Sequence, residues 1–466
     1  MVGSRIVVTI VAGLIGSAVG CSGQAASPEG ERVSKREWDI ASEREDESDR
    51  VFDTTVLHEI NIEVAPEYLD ALEDDREQRV PCTFTFDGLQ LENVGIRLKG
   101  RGSQNGDLDD RPSFSIKFNE FVRGQKLYGL NKLILNNAAM DSTLLDEHLG
   151  YFVYQRAGVP SRRSAHAVVT LSGFPSYGVY VMVEAVNKKL MTRHFGPEQD
   201  GGNLFEAEAK RDFAADPLEL ELKDPEDPGR SYDRLVEFAG FLNDASDDEL
   251  VDRLDEFIDL DKALASFAVD LLVEHGDGFW LNSHNYYLYQ HPADDRFVLL
   301  PHGMDLLFEP DGPVMCGMVP EPDVLETLLG ARISAHPELR ARMEEKVNRV
   351  LAEAWDVALV NERIDALTTL LERSEHDEPA FEEQREKYFE SLDALKHLVG
   401  DVEEVWRGSS TCGDGERTGN ELCASMCDDG NQSDGDGCSS QCRVEHEEDD
   451  QYDRSELTLR LPSEGA

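Results

Sequence analysis

The sequence predicts an α+β fold in two parts, and three observations carry that prediction. From about residue 53 to 185, short runs alternate apolar and polar residues, the period of half-buried strands. From about residue 230 onward, apolar residues recur at helical spacing. Embedded in that helical half are two strand-like runs, "HNYYLYQ" and "RFVLLP", which read as a hairpin. Strands followed by helices give α+β, with a sheet-rich lobe, a helical lobe and a cleft between them.

The strands are legible one by one. "VLHEINIEV" and "PCTFTFDGLQL" alternate, "NVGIRLKGRGS" runs into a Gly-rich turn, and "SFSIKFNEF" carries Lys117 near its end. "KLYGLNKLILNN" is a further strand. In "DSTLLDEHLGYFVYQRAG" the period changes, placing Leu145, Leu149 and Phe152 on one helical face. Asp141 or Ser142 would cap its start, and Gly158 followed by Pro160 would end it. "AHAVVTLSG" and "YGVYVMVEAV" are two more strands. "SYDRLVEFAGFLND", "SDDELVDRLDEFI", "DKALASFAVDLLVEH", "PELRARMEEKVNRVLAEAW" and "FEEQREKYFESLDALKHLVG" read as amphipathic helices.

The flanks read differently. Residues 1–21 have one Arg, an apolar run from Ile6 to Ile15, then small residues up to Cys21, the pattern of a targeting segment too short to span a bilayer. "AVGC" resembles a bacterial lipobox with Cys21 as the lipidated residue. The expectation is a lipoprotein of the bacterial cell envelope or surface, outside the cytoplasm, touching membrane only through its anchor. Residues 22–50 are polar and read as a disordered tether, and the main domain is expected over 51–405. Beyond it, "CGDGERTGNELCASMCDDGNQSDGDGCSSQC" (411–443) resembles a Cys-rich repeat of bacterial surface proteins, and an acidic tail fills 444–466. So short a module needs disulfides or metal in place of a core, and its acidic turns offer ligands for Ca²⁺. Cys82, Cys316, Cys412, Cys423, Cys427, Cys438 and Cys442 are the disulfide candidates, an odd number once Cys21 is lipidated. The formal net charge of −50 excludes nucleic acid and anionic lipid as partners, and favours divalent cations or basic proteins.

The acids and amides of "GDGFWLNSHNYYLYQHPADDRFVLLPHGMDLLF" (276–308) interrupt what otherwise reads as core. Phosphoryl transfer from a nucleotide asks for such a set: carboxylate and amide oxygens for a metal, a cation on the phosphates, a carboxylate near the acceptor hydroxyl. Protein kinases order these as a Gly turn, a strand Lys, a helix Glu, a linker, a catalytic Asp, an Asn and a metal Asp. This chain offers "KGRGS" (99–103), Lys117, Glu147, Glu184, Asp277, Asn282 or Asn285, and Asp305 in that order. Singly, Asp277 reads as a helix-end turn and Lys117 as a solvated strand residue; the ordered set favours function. The spacings of His275, His284 and His302 match no common zinc motif.

"IRLKGRGS…RPSFSIKF", "DSTLLDEHLGYFVYQRAGVP", "YGVYVMVEAVNKKLM", "GGNLFEAE", "HNYYLY" and "LLPHGMDLLF" together resemble the CotH-like (spore coat protein H) kinase family over about residues 55–400. The resemblance implies an atypical protein-kinase-like fold, ATP with Mg²⁺ or Mn²⁺, and transfer to Ser or Thr of surface or secreted proteins. By it, Asp277 is catalytic, Asn285 and Asp305 hold the metal, Lys99 and Lys117 face the nucleotide from the sheet, and Glu184 begins the adenine-side linker. Asn282 is the alternative ligand by its five-residue kinase spacing, the kinase order adds Glu147, and Arg101 and Ser103 of the Gly turn are further candidates for phosphate contact. Many relatives carry two acids in a "WDxD"-type stretch; here "HGMD" puts Gly303 at the first. That departure leaves a catalytically inactive surface-binding pseudokinase as the alternative.

Overall fold

The computed structural model describes residues 46–100, 107–207, 210–308, 319–320, 322, 324–372 and 379–407. The targeting segment, most of the tether, Arg101, Ser103, Cys316, the Cys-rich module and the acidic tail lie outside the described residues. The alternating half does more than form a sheet. Seven strands, β1 (His58–Val64), β2 (Val80–Phe86), β3 (Leu89–Lys99), β4 (Ser113–Lys117), β5 (Lys132–Asn136), β6 (Ser164–Leu171) and β7 (Val179–Glu184), close a barrel in the order β1-β2-β3-β4-β5-β7-β6. Six neighbouring pairs are antiparallel, and β1 with β6 is parallel, in the register Ile60 to Val169. Closure removes the open edges that a seven-stranded sheet would expose. Because alternate residues face opposite sides, Ile62, Phe84, Ile96, Leu98, Phe114, Ile116, Leu133 and Met182 fill the interior. Burying each such side chain contributes about 1.5–3 kcal/mol.

Short helices decorate the barrel: α1 (Leu69–Asp74), α2 (Asp146–Arg156) between β5 and β6, and α3 (Lys188–Phe195) after β7. A second sheet, β11-β10-β8-β9, follows. It consists of β8 (Leu204–Glu206), β9 (Glu221–Leu222) and the expected hairpin β10 (Tyr286–Gln290) and β11 (Phe297–Pro301). Around it stand α4 (Asp233–Asp244), α5 (Asp247–Arg253), α6 (Leu260–Leu272), the single turn α7 (Phe279–Asn282), α8 (Leu328–Ala335), α9 (Pro337–Glu353), α10 (Val357–Glu372) and α11 (Pro379–Arg407). The mixture of sheets and helices agrees with the α+β expectation. The two parts are not separate bodies, however. Ile134, Val181 and Val183, on the outer face of β5 and β7, belong to the same core cluster as Leu149 of α2, Phe267 of α6, Leu288 of β10 and Val347 of α9.

Three expectations are corrected. The tether does not stay unfolded to residue 50: Glu47–Arg50 form a 3-10 turn, Asp46 pairs with Lys189 at 2.8 Å, and Asp49 pairs with Arg163. Burial would raise the Asp46 carboxyl, yet the Lys189 ammonium and the Ser48 donors hold it at about 2. α2 begins at Asp146, later than expected, and Leu145 at its N-cap makes no side-chain cap. The Asp141 carboxylate instead closes the preceding turn, accepting from the N–H groups of Thr143 (2.7 Å) and Asp146 (2.9 Å). Cys82 is a free thiol buried inside the barrel, its pKa pushed up to about 12 by burial, so it is not a disulfide partner.

Candidate active site

The opening acid of the functional stretch, Asp277, sits in the turn between α6 and α7 with its side chain 36% exposed. Three donors hold it. Asn282 Nδ2 donates to Oδ1, Asn285 Nδ2 donates to Oδ2 at 2.9 Å, and His284 Nδ1 lies 3.2 Å from Oδ2. Both asparagines weighed from sequence therefore converge on the same carboxylate. Burial opposes its charge, but His284 and Asn282 outweigh that and keep its pKa below the usual carboxylate value. Ser283 (φ 48°) and Asn285 (φ 51°) are left-handed, a conformation that non-glycine residues adopt at a cost. The turn is thus bent sharply to bring three side chains onto one acid.

Asp305 follows β11, and its segment is anchored from α2. The Asp146 carboxylate accepts from Leu307 N–H at 3.2 Å. Gly150, in the middle of α2, lets this segment approach; a Cβ there would lie 2.7 Å from Met304 Sδ and from Leu307 Cδ1. From below, His275 Nε2 lies 3.3 Å from the Gly303 carbonyl oxygen, while Asp270 sits beside Nδ1 at 3.6 Å. Burial works against the charged imidazolium, but Asp270 raises the His275 pKa above its ordinary value. Gly303 itself has φ 64°, and a Cβ would fall 2.5 Å from Asn285 Oδ1. A side chain at position 303 would therefore collide with the Asn285 amide. His302, next to it, is kept neutral by burial and by the nearby Arg162 and Lys99 charges, and its Nδ1 has no hydrogen-bond partner among the described residues.

The third group joins β3, β5 and α2. Lys99 Nζ donates to Asn136 Oδ1 at 3.1 Å, and Asn136 Nδ2 donates to Glu147 Oε2. Lys99 and Glu147 are thus linked through one amide, where a protein kinase would pair a strand Lys with a helix Glu directly. Glu147 also accepts from Tyr151 Oη at 3.2 Å, and Arg162 stands 4.0 Å from it. Burial raises its pKa despite Arg162, Asn136 and Lys99, and Asp305 adds to the rise. Burial likewise lowers Lys99, with Glu147, Asp305 and Glu206 acting against the fall. Those mutual influences place Lys99, Glu147 and Asp305 in one electrostatic cluster.

Two predicted nucleotide-facing residues are not brought into it. Lys117 lies at the far end of β4, 44% exposed, in a 2.7 Å pair with Glu120. Glu184, at the end of β7, commits its buried carboxylate to Arg163 and Arg193, both at 2.7 Å. Burial opposes its charge, but these guanidiniums hold its pKa at about 2.

A model of the "CotH kinase protein" family matches residues 96–401, more than half of the chain. The chain belongs to the CotH kinase family. No curated protein matches it. Membership makes this a kinase-like protein, and the Lys99 end of β3, α2, the Asp277 turn and the Asp305 segment fall inside the matched region. Sequence reasoning about this CotH kinase missed Asn136, Arg162 and Glu206. Asn136 had a signal, since "ILNN" ends an apolar strand on two amides. Glu206 lies inside the quoted "GGNLFEAE" and accepts from Tyr287 Oη. Arg162 donates its Nε to the Glu184 carbonyl oxygen at 2.5 Å and a terminal N–H to Tyr151 Oη at 3.1 Å; nothing local marks it.

Among the described residues no group of three or more His, Cys, Asp or Glu side chains could hold a metal ion. The donor set fits Mg²⁺ or Mn²⁺ arriving with a nucleotide, which needs only one or two protein oxygens alongside phosphates and water. Asp305 and the Asn285 amide oxygen are the candidates for those donors.

Proposed function

We propose that this CotH kinase transfers the γ-phosphate of ATP to Ser or Thr hydroxyls of an envelope or extracellular protein. The single observation that carries the reading is the Asn136 bridge between Lys99 and Glu147 beside Asp305. A cation, a helix acid and a metal-type acid that act on one another electrostatically are the set a triphosphate calls for.

In this reading Asp277 orients the acceptor hydroxyl and takes its proton as the new O–P bond forms, while the bond from phosphorus to the ADP oxygen breaks. Asn282 and His284 fix the carboxylate for that task, and its exposed edge is the part an acceptor reaches. A divalent metal bound with the nucleotide would neutralise charge on the phosphate oxygens. Asp305 and Asn285 would hold it, and Lys99 would add a second positive charge. A two-lobed arrangement with the nucleotide between barrel and helices, and anchoring through Cys21, complete the proposal.

Calorimetric titration of the full chain with ATP, with and without Mn²⁺ or Mg²⁺, tests it. Metal-dependent binding is expected; Asp305→Ala should abolish the metal dependence. Asp277→Ala should leave binding intact and lower transfer about 10²–10⁴-fold. An absence of nucleotide binding with every metal would replace this reading with the pseudokinase scaffold.

A further inference from the structure

The outer face of the barrel carries a second group of cations that the proposed chemistry does not use. On β3, Arg97 and Lys99 alternate with the buried Ile96 and Leu98; on β5, Lys132 and Asn136 alternate with the buried Leu133 and Leu135. Lys132 is four residues from Asn136, the residue that holds Lys99, so it lies about 13 Å along the same face. It is directly opposite Lys117 in the β4–β5 register, and like charges so placed are unfavourable. Arg79 lies across the same face, donating to the Ser115 carbonyl oxygen at 2.5 Å and to Ser115 Oγ at 2.9 Å.

Among the described residues, the acids beside these cations are engaged. Glu77 pairs with Arg97 at 3.3 Å, Glu120 with Lys117 at 2.7 Å, and Glu206 and Glu221 with Lys223. Among the described residues the Lys132 ammonium makes no hydrogen bond or ion pair. It is half-buried and feels the charges of Arg79, Arg97 and Lys223, with Glu206 the one acid acting on it and itself paired with Lys223. Burial first, then Arg79, lowers its pKa to about 8, so at neutral pH it is still chiefly protonated. In a chain of net charge −50, a half-buried cation left without a hydrogen bond or ion pair, while the neighbouring acids are committed to other cations, does nothing for the fold. It is what an anion site looks like before its ligand arrives.

We propose that Lys132, with Arg79, Arg97 and Lys223 behind it, is an oxyanion site that takes a phosphate group at a point distinct from Lys99. The ammonium supplies the direct contact. The Arg79 and Arg97 guanidiniums, turned to backbone carbonyls, supply positive potential. The phosphate is either part of the nucleotide or carried by another molecule, and the site chemistry is the same for both.

The test is a titration of the full chain with inorganic phosphate against chloride of equal ionic strength, read by thermal unfolding. Wild type should be stabilised by phosphate. Lys132→Met and Lys132→Gln should bind it about tenfold or more weakly, the value of a lost charge-assisted hydrogen bond. Without phosphate, both Lys132 variants should unfold at the wild-type temperature or above, since a desolvated charge has been removed. If both variants respond to phosphate as wild type does, the proposal is wrong. Repeating the titration with saturating ADP assigns the source: competition makes it a nucleotide phosphate, and independent binding makes it a phosphate from elsewhere. Because the readout needs no transfer, it can succeed or fail whatever becomes of the kinase reading.

Discussion

Glu184 and Glu147 are two buried glutamates in adjoining parts of this protein, and they are treated oppositely. Glu184 has two guanidiniums at 2.7 Å and a pKa held at about 2, although burial alone would raise it. Glu147 has its nearest guanidinium at 4.0 Å, shares Asn136 with Lys99, and has its pKa raised by burial. A saturated acid is a clamp. Glu184 ties the end of β7 to α3 through Arg193, and to the N-terminal 3-10 turn through Arg163 and Asp49. An under-neutralised acid beside a lysine and a second acid is a site with unfilled electrostatic demand. The contrast separates structure from function better than residue type does, since sequence reasoning assigned both glutamates to the nucleotide.

The largest expected effect breaks the clamp. Glu184→Gln leaves Arg163 and Arg193 without their shared anion and should lose about 3–5 kcal/mol of stability in urea unfolding. Glu147→Gln should change stability by no more than about 1.5 kcal/mol, the net worth of a hydrogen bond. The two should also differ in pH dependence. Glu184 titrates lower in the folded chain, so its contribution is full above its unfolded pKa and is lost as pH falls toward about 2. Glu147 titrates higher in the folded chain, so its cost appears as pH rises above its unfolded pKa. Glu184→Gln should therefore flatten the acid limb of the stability curve, and Glu147→Gln should raise the neutral limb relative to pH 4. Equal losses in the two variants would erase the distinction.

A smaller effect is expected at Gly150. Alanine is the better helix former by about 1 kcal/mol. Here its Cβ would meet Met304 and Leu307, and overpacking of that kind costs about 1–3 kcal/mol. Gly150→Ala should unfold at lower denaturant and bind ATP with metal more weakly, because the Asp305 segment shifts. Unchanged affinity would show that α2 does not set the position of Asp305. The smallest effect belongs to Lys117→Ala, within about 0.5 kcal/mol of wild type in stability and without effect on ATP affinity. Lys99→Met is its counterpart and should weaken ATP binding. A loss at Lys117 equal to that at Lys99 would mean that the nucleotide reaches the far end of β4.

Much of the fold was legible because periodicity is local. The expected strands of the N-terminal half became β1 to β7, the hairpin became β10 and β11, and the five amphipathic runs include α4, α5, α6, α9 and α11. The elements that escaped notice, among them α1, α3, α7, β8, β9, α8 and α10, are mostly short or carry weak patterns. The Asp277 turn was legible for a similar reason. Its asparagines lie within eight residues of it, so their convergence needs only one bent turn.

By itself the sequence determined which residues face which side of each element, and so which side chains were available to a core or a site. Only the tertiary structure decided who meets whom. Barrel closure, with β1 beside β6, comes from pairing strands more than a hundred residues apart, and alternation says nothing about that register. The same holds for the choice of lysine. Lys99 and Lys117 are both outward-facing strand residues, but β3 ends beside Asn136 while β4 carries Lys117 away from it. Asp146 reaches Leu307, and Arg162 reaches Glu147, for the same reason. A side chain's charge and shape are written in its own position, but its partners are fixed by how helices and strands distant in sequence pack against one another.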